Sequence, residues 1–332
     1  MTIETLAIEG LSTPVSRIGL GTWAIGGWMW GGTDEKESIA VIRRALDSGI
    51  NLIDTAPVYG FGASEEIVGK ALADGYRHKA VIATKVALEW RDGKVFRNST
   101  PARIRQEVED TLRRLRIDYI DLYQVHWPDS LVPIEETAAV LNDLRKEGKV
   151  LALGVSNFST QEMDVFRRVA PLSTAQPPYN LFERDIDGDV LPYVRQHGLV
   201  ALAYGALCRG LLAGRVDVNT RFGGDDLRLH DPKFLMPRRE QYVAAVKALD
   251  VFARKTFGKS VLALAVRWVL DRGPTIALWG ARRPAQLDGV EDVFGWRLDA
   301  NAFAQIDSIV GQYVKDPVGP EFMAPPQRVR VA

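Results

Sequence analysis

Four ionisable side chains, Asp54, Tyr59, Lys85 and His126, fall at or just past the ends of successive short apolar runs. Asp54 closes LID at 52–54, Lys85 closes AVIATK at 80–85, and His126 closes IDLYQVH at 120–126; Tyr59 follows Asp54 on a turn broken by Pro57, Gly60 and Gly62. A phenol with its ordinary pKa of about 10 is a poor acid or base near neutrality. A neighbouring ammonium favours the phenolate and lowers that value, a carboxylate holds and partly neutralises the lysine, and a histidine can donate a hydrogen bond to a substrate oxygen. Such a unit protonates or deprotonates an oxygen. Singly, each residue has a plainer reading: Asp54 as a turn former, Lys85 as a solvated strand end, His126 as a hydrogen-bonded buried histidine. Convergence on one rim is what makes the four a candidate catalytic set.

That rim requires a frame, and the chain supplies a regular one. Apolar runs occur at 18–21, 52–54, 80–85, 120–126, 150–156, 174–176, 199–204 and 275–279. Between them lie segments of helical spacing with readable starts: Asp34 with Glu37, Thr100 before Pro101, and Ser159 with Glu162, while Gly148 and Gly198 fall where helices stop. Continuous apolar strands alternating with amphipathic helices predict a parallel sheet covered by helices, and eight units favour closure into a (β/α)8 TIM barrel. No linker or composition shift divides residues 1–332, so a single barrel domain is expected. The start, 3–16, alternates around Glu9 and Gly10 and predicts a hairpin plug. The long Gly-, Asp- and Arg-rich excursion at 209–237 after strand seven predicts a flap over a ligand, and the Pro-rich tail after Asp316 either packs back on the barrel or frays.

Bulk properties narrow the classes. Lys plus Arg and Asp plus Glu are both 42, so nothing points to nucleic acid or an anionic membrane surface. Cys208 is the only cysteine, which rules out an intrachain disulfide and a cysteine-rich metal site and suits a reducing cytoplasm. The opening MTIETLAIEG lacks the features of a signal peptide, and no window approaches a membrane span. His78, His126, His197 and His230 are scattered, so no metal site is expected, and GVSNF at 154–158 lacks the closing glycine of a nucleophile elbow.

The ordered pieces resemble the aldo-keto reductases along essentially the whole chain: GLGTWAIGG (19–27), DTAPVYGFGASEEIVGKAL (54–72), ATK (83–85), HWP (126–128), GVSNF (154–158), AQPPYN (175–180), AYGALCRGLLAG (203–214) and WGARRPAQL (279–287). The ending DPVGPEFMAPP looks most like a bacterial subgroup that includes general stress proteins. The resemblance implies a (β/α)8 barrel that binds NADPH in extended form and reduces aldehydes or ketones. Consistent with this, no G-x-G-x-x-G opens a helix. By the same resemblance Tyr59 is the general acid, Lys85 and Asp54 tune it, and His126 orients the carbonyl.

The resemblance also implies cofactor contacts. Ser156, Asn157 and Gln176 bind the nicotinamide carboxamide, Tyr204 stacks on the ring, and Gly21 and Thr22 lie beneath it, with Trp23 also at the cofactor and Asp54 near the ribose. Backbone from Gly205 through Leu207 to Gly210 surrounds the pyrophosphate with Arg209 available for charge, and Gly280 closes strand eight. Arg282 and Arg283 are the expected 2′-phosphate ligands, with Gln286 retained nearby; an acid and an asparagine usual in the family are replaced by Gly289 and Val290, which leaves NADH possible. Trp23, Trp28, Trp30 and Trp127 would join Tyr59 and His126 as walls of a substrate pocket. An alternative from the same resemblance is a redox-sensing nicotinamide-binding module like the potassium-channel β-subunits. Oligomeric state is not legible.

Overall fold

The computed structural model describes residues 3–328. Strands Ile18–Gly21, Leu52–Asp54, Val81–Val86, Ile120–Val125, Val150–Ser156, Thr174–Gln176, Val200–Ala203 and Thr275–Gly280 each pair in parallel with the next, and the last pairs with the first, closing the expected barrel. Inside, Leu52, Ala83, Leu122, Ala152, Val200, Leu202, Ile276 and Leu278 pack together with Ile8 and Val15. Burying one such leucine or isoleucine contributes about 1.5–3 kcal/mol. Ile8 and Val15 belong to the plug, whose strands Thr5–Leu6 and Val15–Ser16 pair antiparallel as expected. Above this apolar stack the same inward register brings Asp54, Lys85, Gln124, Thr174 and Gln176, all buried, to the C-terminal end of the barrel.

The expected helix signals mostly act where they were read. Helix α1 (Glu35–Asp47) starts at Asp34, whose carboxylate accepts from the Glu37 amide at 3.0 Å. Before Thr160–Arg167, Ser159 and Glu162 form a reciprocal capping box. Gly148 and Gly198 follow helices with φ of 79° and 66°, the left-handed conformation glycine accepts without a steric penalty. Thr100 departs from its expected role: its hydroxyl turns back to Asn98 Oδ1 at 2.8 Å, and helix Pro101–Leu115 starts on the proline without a side-chain cap.

Three regions carry more order than their sequence suggested. After strand three, Leu88–Arg91 and Lys94–Arg97 form a hairpin turning at Asp92 and Gly93. An Asp-Gly pair between alternating residues is a strong hairpin signal, and it was present in the sequence. The 209–237 segment is built of short 3-10 turns, including Leu227–Leu229 and Pro232–Phe234, and is pinned by buried ion pairs. Of the two outcomes open for the tail, packing back is the one adopted: Arg97 bonds to the carbonyls of Pro325 and, through its amide, Pro326, and Lys233 bonds to the carbonyl of Gly319.

Candidate active site

Parallel register carries three strand ends to one level. Lys85 Nζ, fully buried, donates to Asp54 Oδ1 at 2.6 Å, to the Thr55 carbonyl at 2.9 Å and to the Tyr59 hydroxyl at 3.2 Å. Its three protons therefore have three oxygen partners. Tyr59 arrives on the turn after Asp54, with Gly26 beside it: a Cβ at Gly26 would sit 2.5 Å from the Tyr59 carbonyl carbon, so only glycine lets the first loop pass this close. The loop is tied down by hydroxyls, since Thr22 Oγ1 donates to the Asp54 carbonyl at 2.9 Å and meets Ser64 Oγ at 2.8 Å. The His126 ring lies edge-on to Tyr59 at 5.7 Å, and among the described residues no side chain or carbonyl hydrogen-bonds its ring nitrogens. All four expected catalytic residues thus converge.

Electrostatics correct one expectation. Burial raises the Tyr59 pKa above its ordinary value, and the opposing pull of Lys85 does not overcome it. The phenol is a protonated donor at neutral pH rather than a ready phenolate. Burial opposes the Lys85 ammonium, but the attractions of Asp54 and Tyr59 exceed it and its pKa is raised. Burial, helped by Lys85, holds His126 well below the usual imidazole range, so it is neutral and keeps one N–H to donate.

A cavity of about 240 Å³ runs from Asp54 and Tyr59 past Tyr204 and Gly205 to Arg282, Gln286 and Asp288. Gly21, Thr22, Trp23, Leu207, Arg209, Gly210 and Gly280, all expected at the cofactor, line it too. Ser156, Asn157 and Gln176 lie at the rim but are engaged with protein: Ser156 Oγ donates to the Gln176 carbonyl at 2.7 Å, and Asn157 donates to the His126 carbonyl while accepting from the Tyr204 hydroxyl at 2.8 Å. Arg283 is exposed and does not line the cavity, whereas Arg282 does and donates to the Trp30 carbonyl at 2.7 Å. Gln286 Oε1 accepts from the amides of both arginines, at 2.7 and 3.0 Å.

Arg209 differs from its expected part. Its guanidinium is bonded to Glu183 and Asp231, and Lys233 sits 2.8 Å from Glu183, so two cations and two carboxylates balance in a buried cluster that ties barrel, flap and tail together. The charge it was expected to offer an anion is already neutralised. Of the arginines that line the cavity, those without a carboxylate partner among the described residues are Arg215, missed in the sequence because it is one of several arginines in an irregular loop, and Arg282. Burial and the nearby Arg228, paired with Asp226, lower the Arg282 pKa. Like charges gathered in one cleft suit an anion.

The aromatic residues divide. Trp23 stacks on Tyr59 at 6.0 Å and meets Trp30 edge-on at 5.6 Å, and Trp30 lines the cavity beside Arg228, its buried indole N–H without a partner. Trp28 packs on Phe61, which packs on Trp90 of the hairpin, and Arg97 lies over Trp127 at 5.0 Å. Trp28 and Trp127 pack with Tyr59 against Ala56, Val58 and Leu88, and neither they nor His126 line the cavity. Among the described residues no cluster of His, Cys, Asp and Glu gathers that could hold a metal ion, and no helix is long and apolar enough to cross a membrane.

The model of the Aldo/keto reductase family matches residues 17–311. The chain is 57% identical to the aldo-keto reductase YhdN of Bacillus subtilis, over 99% of this chain and 100% of that protein. It is 37% identical to an NADH-specific methylglyoxal reductase of Escherichia coli, over 82% of this chain and 88% of the other. Among solved structures it superposes on the glycerol dehydrogenase AKR11B4 of Gluconobacter oxydans with a TM-score of 0.89 and 58% identity, covering 98% and 100% of the two chains. A Klebsiella pneumoniae aldo-keto reductase in complex with NADPH matches with a TM-score of 0.71 and 28% identity, over 99% and 100%.

Proposed function

The chain belongs to the aldo/keto reductase family, and from that premise we propose that it reduces small aldehydes and ketones to alcohols with NADPH, reversibly. The observation that carries the reading is Lys85, buried between Asp54 and the Tyr59 hydroxyl at one end of a cavity whose other end gathers guanidinium groups. That cavity suits an extended nicotinamide dinucleotide: the phenol face of Tyr204 for a ring, Gly205 and Gly210 in conformations that need no Cβ for close backbone approach, the orphan indole N–H of Trp30, and Arg282 with Arg215 for phosphates. Ser156, Asn157 and Gln176 hold the carboxamide, which requires some of their present hydrogen bonds to be exchanged.

When bound, the nicotinamide supplies hydride to the carbonyl carbon. The Tyr59 hydroxyl gives its proton to the carbonyl oxygen, and the ammonium of Lys85 stabilises the phenolate that remains. Asp54 keeps Lys85 charged and aimed. Neutral His126 donates a hydrogen bond to the same oxygen and so stabilises the charge that develops there. Trp28 and Trp127 wall a compact substrate side, which together with the names of the relatives, glycerol dehydrogenase and methylglyoxal reductase, favours short-chain carbonyls and polyols.

NADPH consumption with a panel of short-chain aldehydes and ketones, and NADP⁺ reduction with glycerol, tests the reading. Turnover that disappears in Tyr59→Phe supports it; absence of turnover with every carbonyl sinks it. A chain that binds NADPH yet turns over nothing while retaining a channel-like partner would instead be a nicotinamide-sensing module.

A further inference from the structure

Between the catalytic lysine and the expected carboxamide anchor lies a side chain with no role so far. Gln124 is fully buried inside the barrel, with its Cα paired to Lys85 on one side and to Gly154 on the other. Its Nε2 donates to Asp54 Oδ2 at 3.4 Å, and its Oε1 accepts from Gln176 Nε2 at 3.4 Å and Thr174 Oγ1 at 3.5 Å. Gln176 Nε2 also donates to Asp54 Oδ2, at 2.8 Å. A place has been made for this amide: a Cβ at Gly154 would lie 2.2 Å from Thr174 Oγ1 and 2.8 Å from Gln124 Cγ, both impossible without a shift.

The consequence lies in how Gln176 is turned. An amide can rotate by half a turn at little steric cost, and its hydrogen-bond partners decide which end points where. Two acceptors, Asp54 Oδ2 and Gln124 Oε1, face the Gln176 NH₂, so its Oε1 is directed away from them, and among the described residues no donor reaches that oxygen. Asp54 is thereby divided, one oxygen for Lys85 and the other for the two glutamines.

We propose that Gln124 is a positioning residue: together with Asp54 it fixes the rotation of Gln176 so that Oε1 is presented as an acceptor to the NH₂ of the cofactor carboxamide, and it links that anchor to Lys85 through Asp54. The inference rests on the nicotinamide reading of the cavity. Gln124 touches neither cofactor nor substrate.

The experiment compares NADP⁺ with its 3-acetylpyridine analogue, in which a methyl ketone replaces the carboxamide and removes the NH₂ donor. Binding is read by quenching of tryptophan fluorescence, with Trp23 and Trp30 in the cavity as reporters. Wild type is expected to prefer NADP⁺ by about fivefold, the worth of one ordinary hydrogen bond. In Gln124→Met, similar in length and without the amide, the preference falls part way toward unity, because Asp54 Oδ2 alone is left to hold the Gln176 NH₂. A purely structural role would weaken both ligands equally and leave the ratio intact, which overturns the proposal. Thr174→Val, which removes only a donor to Gln124 Oε1, is expected to lower the ratio part way, and it carries the test if Gln124→Met does not fold; an unchanged ratio there overturns the proposal. Failure of wild type to bind either ligand overturns the cofactor reading together with this one, whereas wild-type preference retained in the variants sinks this one alone.

Discussion

Lys85 meets Asp54 across 2.6 Å with side-chain exposures of 0% and 3%, so neither charge has water to fall back on. A buried ion pair does not by itself make a protein stable, because both partners have been taken out of water. Removing one partner is the costly event. Lys85→Met is expected to abolish turnover and to lower unfolding stability by about 3–5 kcal/mol, since Asp54 is left uncompensated. The double variant Asp54→Asn with Lys85→Met recovers much of that stability and none of the activity, as measured by denaturant unfolding beside steady-state rates.

Tyr59→Phe keeps the ring that stacks on Trp23 and loses only the hydroxyl facing Lys85. The reduction rate is expected to fall by about 10²–10⁴, the usual worth of a general acid, while NADPH binding holds within a factor of about two. A rate within tenfold of wild type would reassign the proton donor.

The pH profile follows from two opposite shifts. His126 is held well below its ordinary range and is already neutral through the neutral region, while the Tyr59 phenol is raised above its ordinary value of 10.0. Carbonyl reduction should therefore be level across neutral pH and decline only on the alkaline side as Tyr59 loses its proton. A limb centred near neutrality in kcat/KM would contradict that assignment.

Folding stability depends on the same histidine with a definite sign. The unfolded imidazole takes up its proton near 6.5, whereas the folded one does so only at much lower pH. Between those two values the unfolded chain holds the extra proton, so stability falls as pH drops below about 6.5 and the loss is complete at the folded pKa. His126→Gln is expected to remove this part of the acid sensitivity, as followed by thermal unfolding at a series of pH values.

The two arginines after strand eight should separate. Arg282→Ala is expected to weaken NADPH binding by about 10- to 100-fold, the range of one hydrogen bond to a charged group, with little change for NADH. Arg283→Ala should leave both unchanged, because its side chain lies outside the cavity. The comparison of dissociation constants for the two cofactors decides it.

Much of this molecule was legible in its residues. Apolar runs with glycine or a polar residue at their ends were enough to number the eight strands and to place Asp54, Lys85 and His126 on one rim, because a strand buried on both faces must be continuously apolar until it leaves the barrel. The Ser159–Glu162 cap and the turn glycines were equally readable, since they depend on neighbours in the chain. The fate of Arg209 was not. Its sequence neighbours are small residues suited to a phosphate loop, but Glu183 and Asp231 reach it from elsewhere in the chain and neutralise it. Nor did any pattern single out Gln124, which in the strand IDLYQV is one polar residue among apolar ones until the barrel closes and sets it against Asp54 and Gln176. Local spacing determined the elements and the candidate site residues; only closure of the barrel decided which charges remain free, which proton is held, and which way an amide points, because burial and partner geometry are properties of residues far apart in the chain.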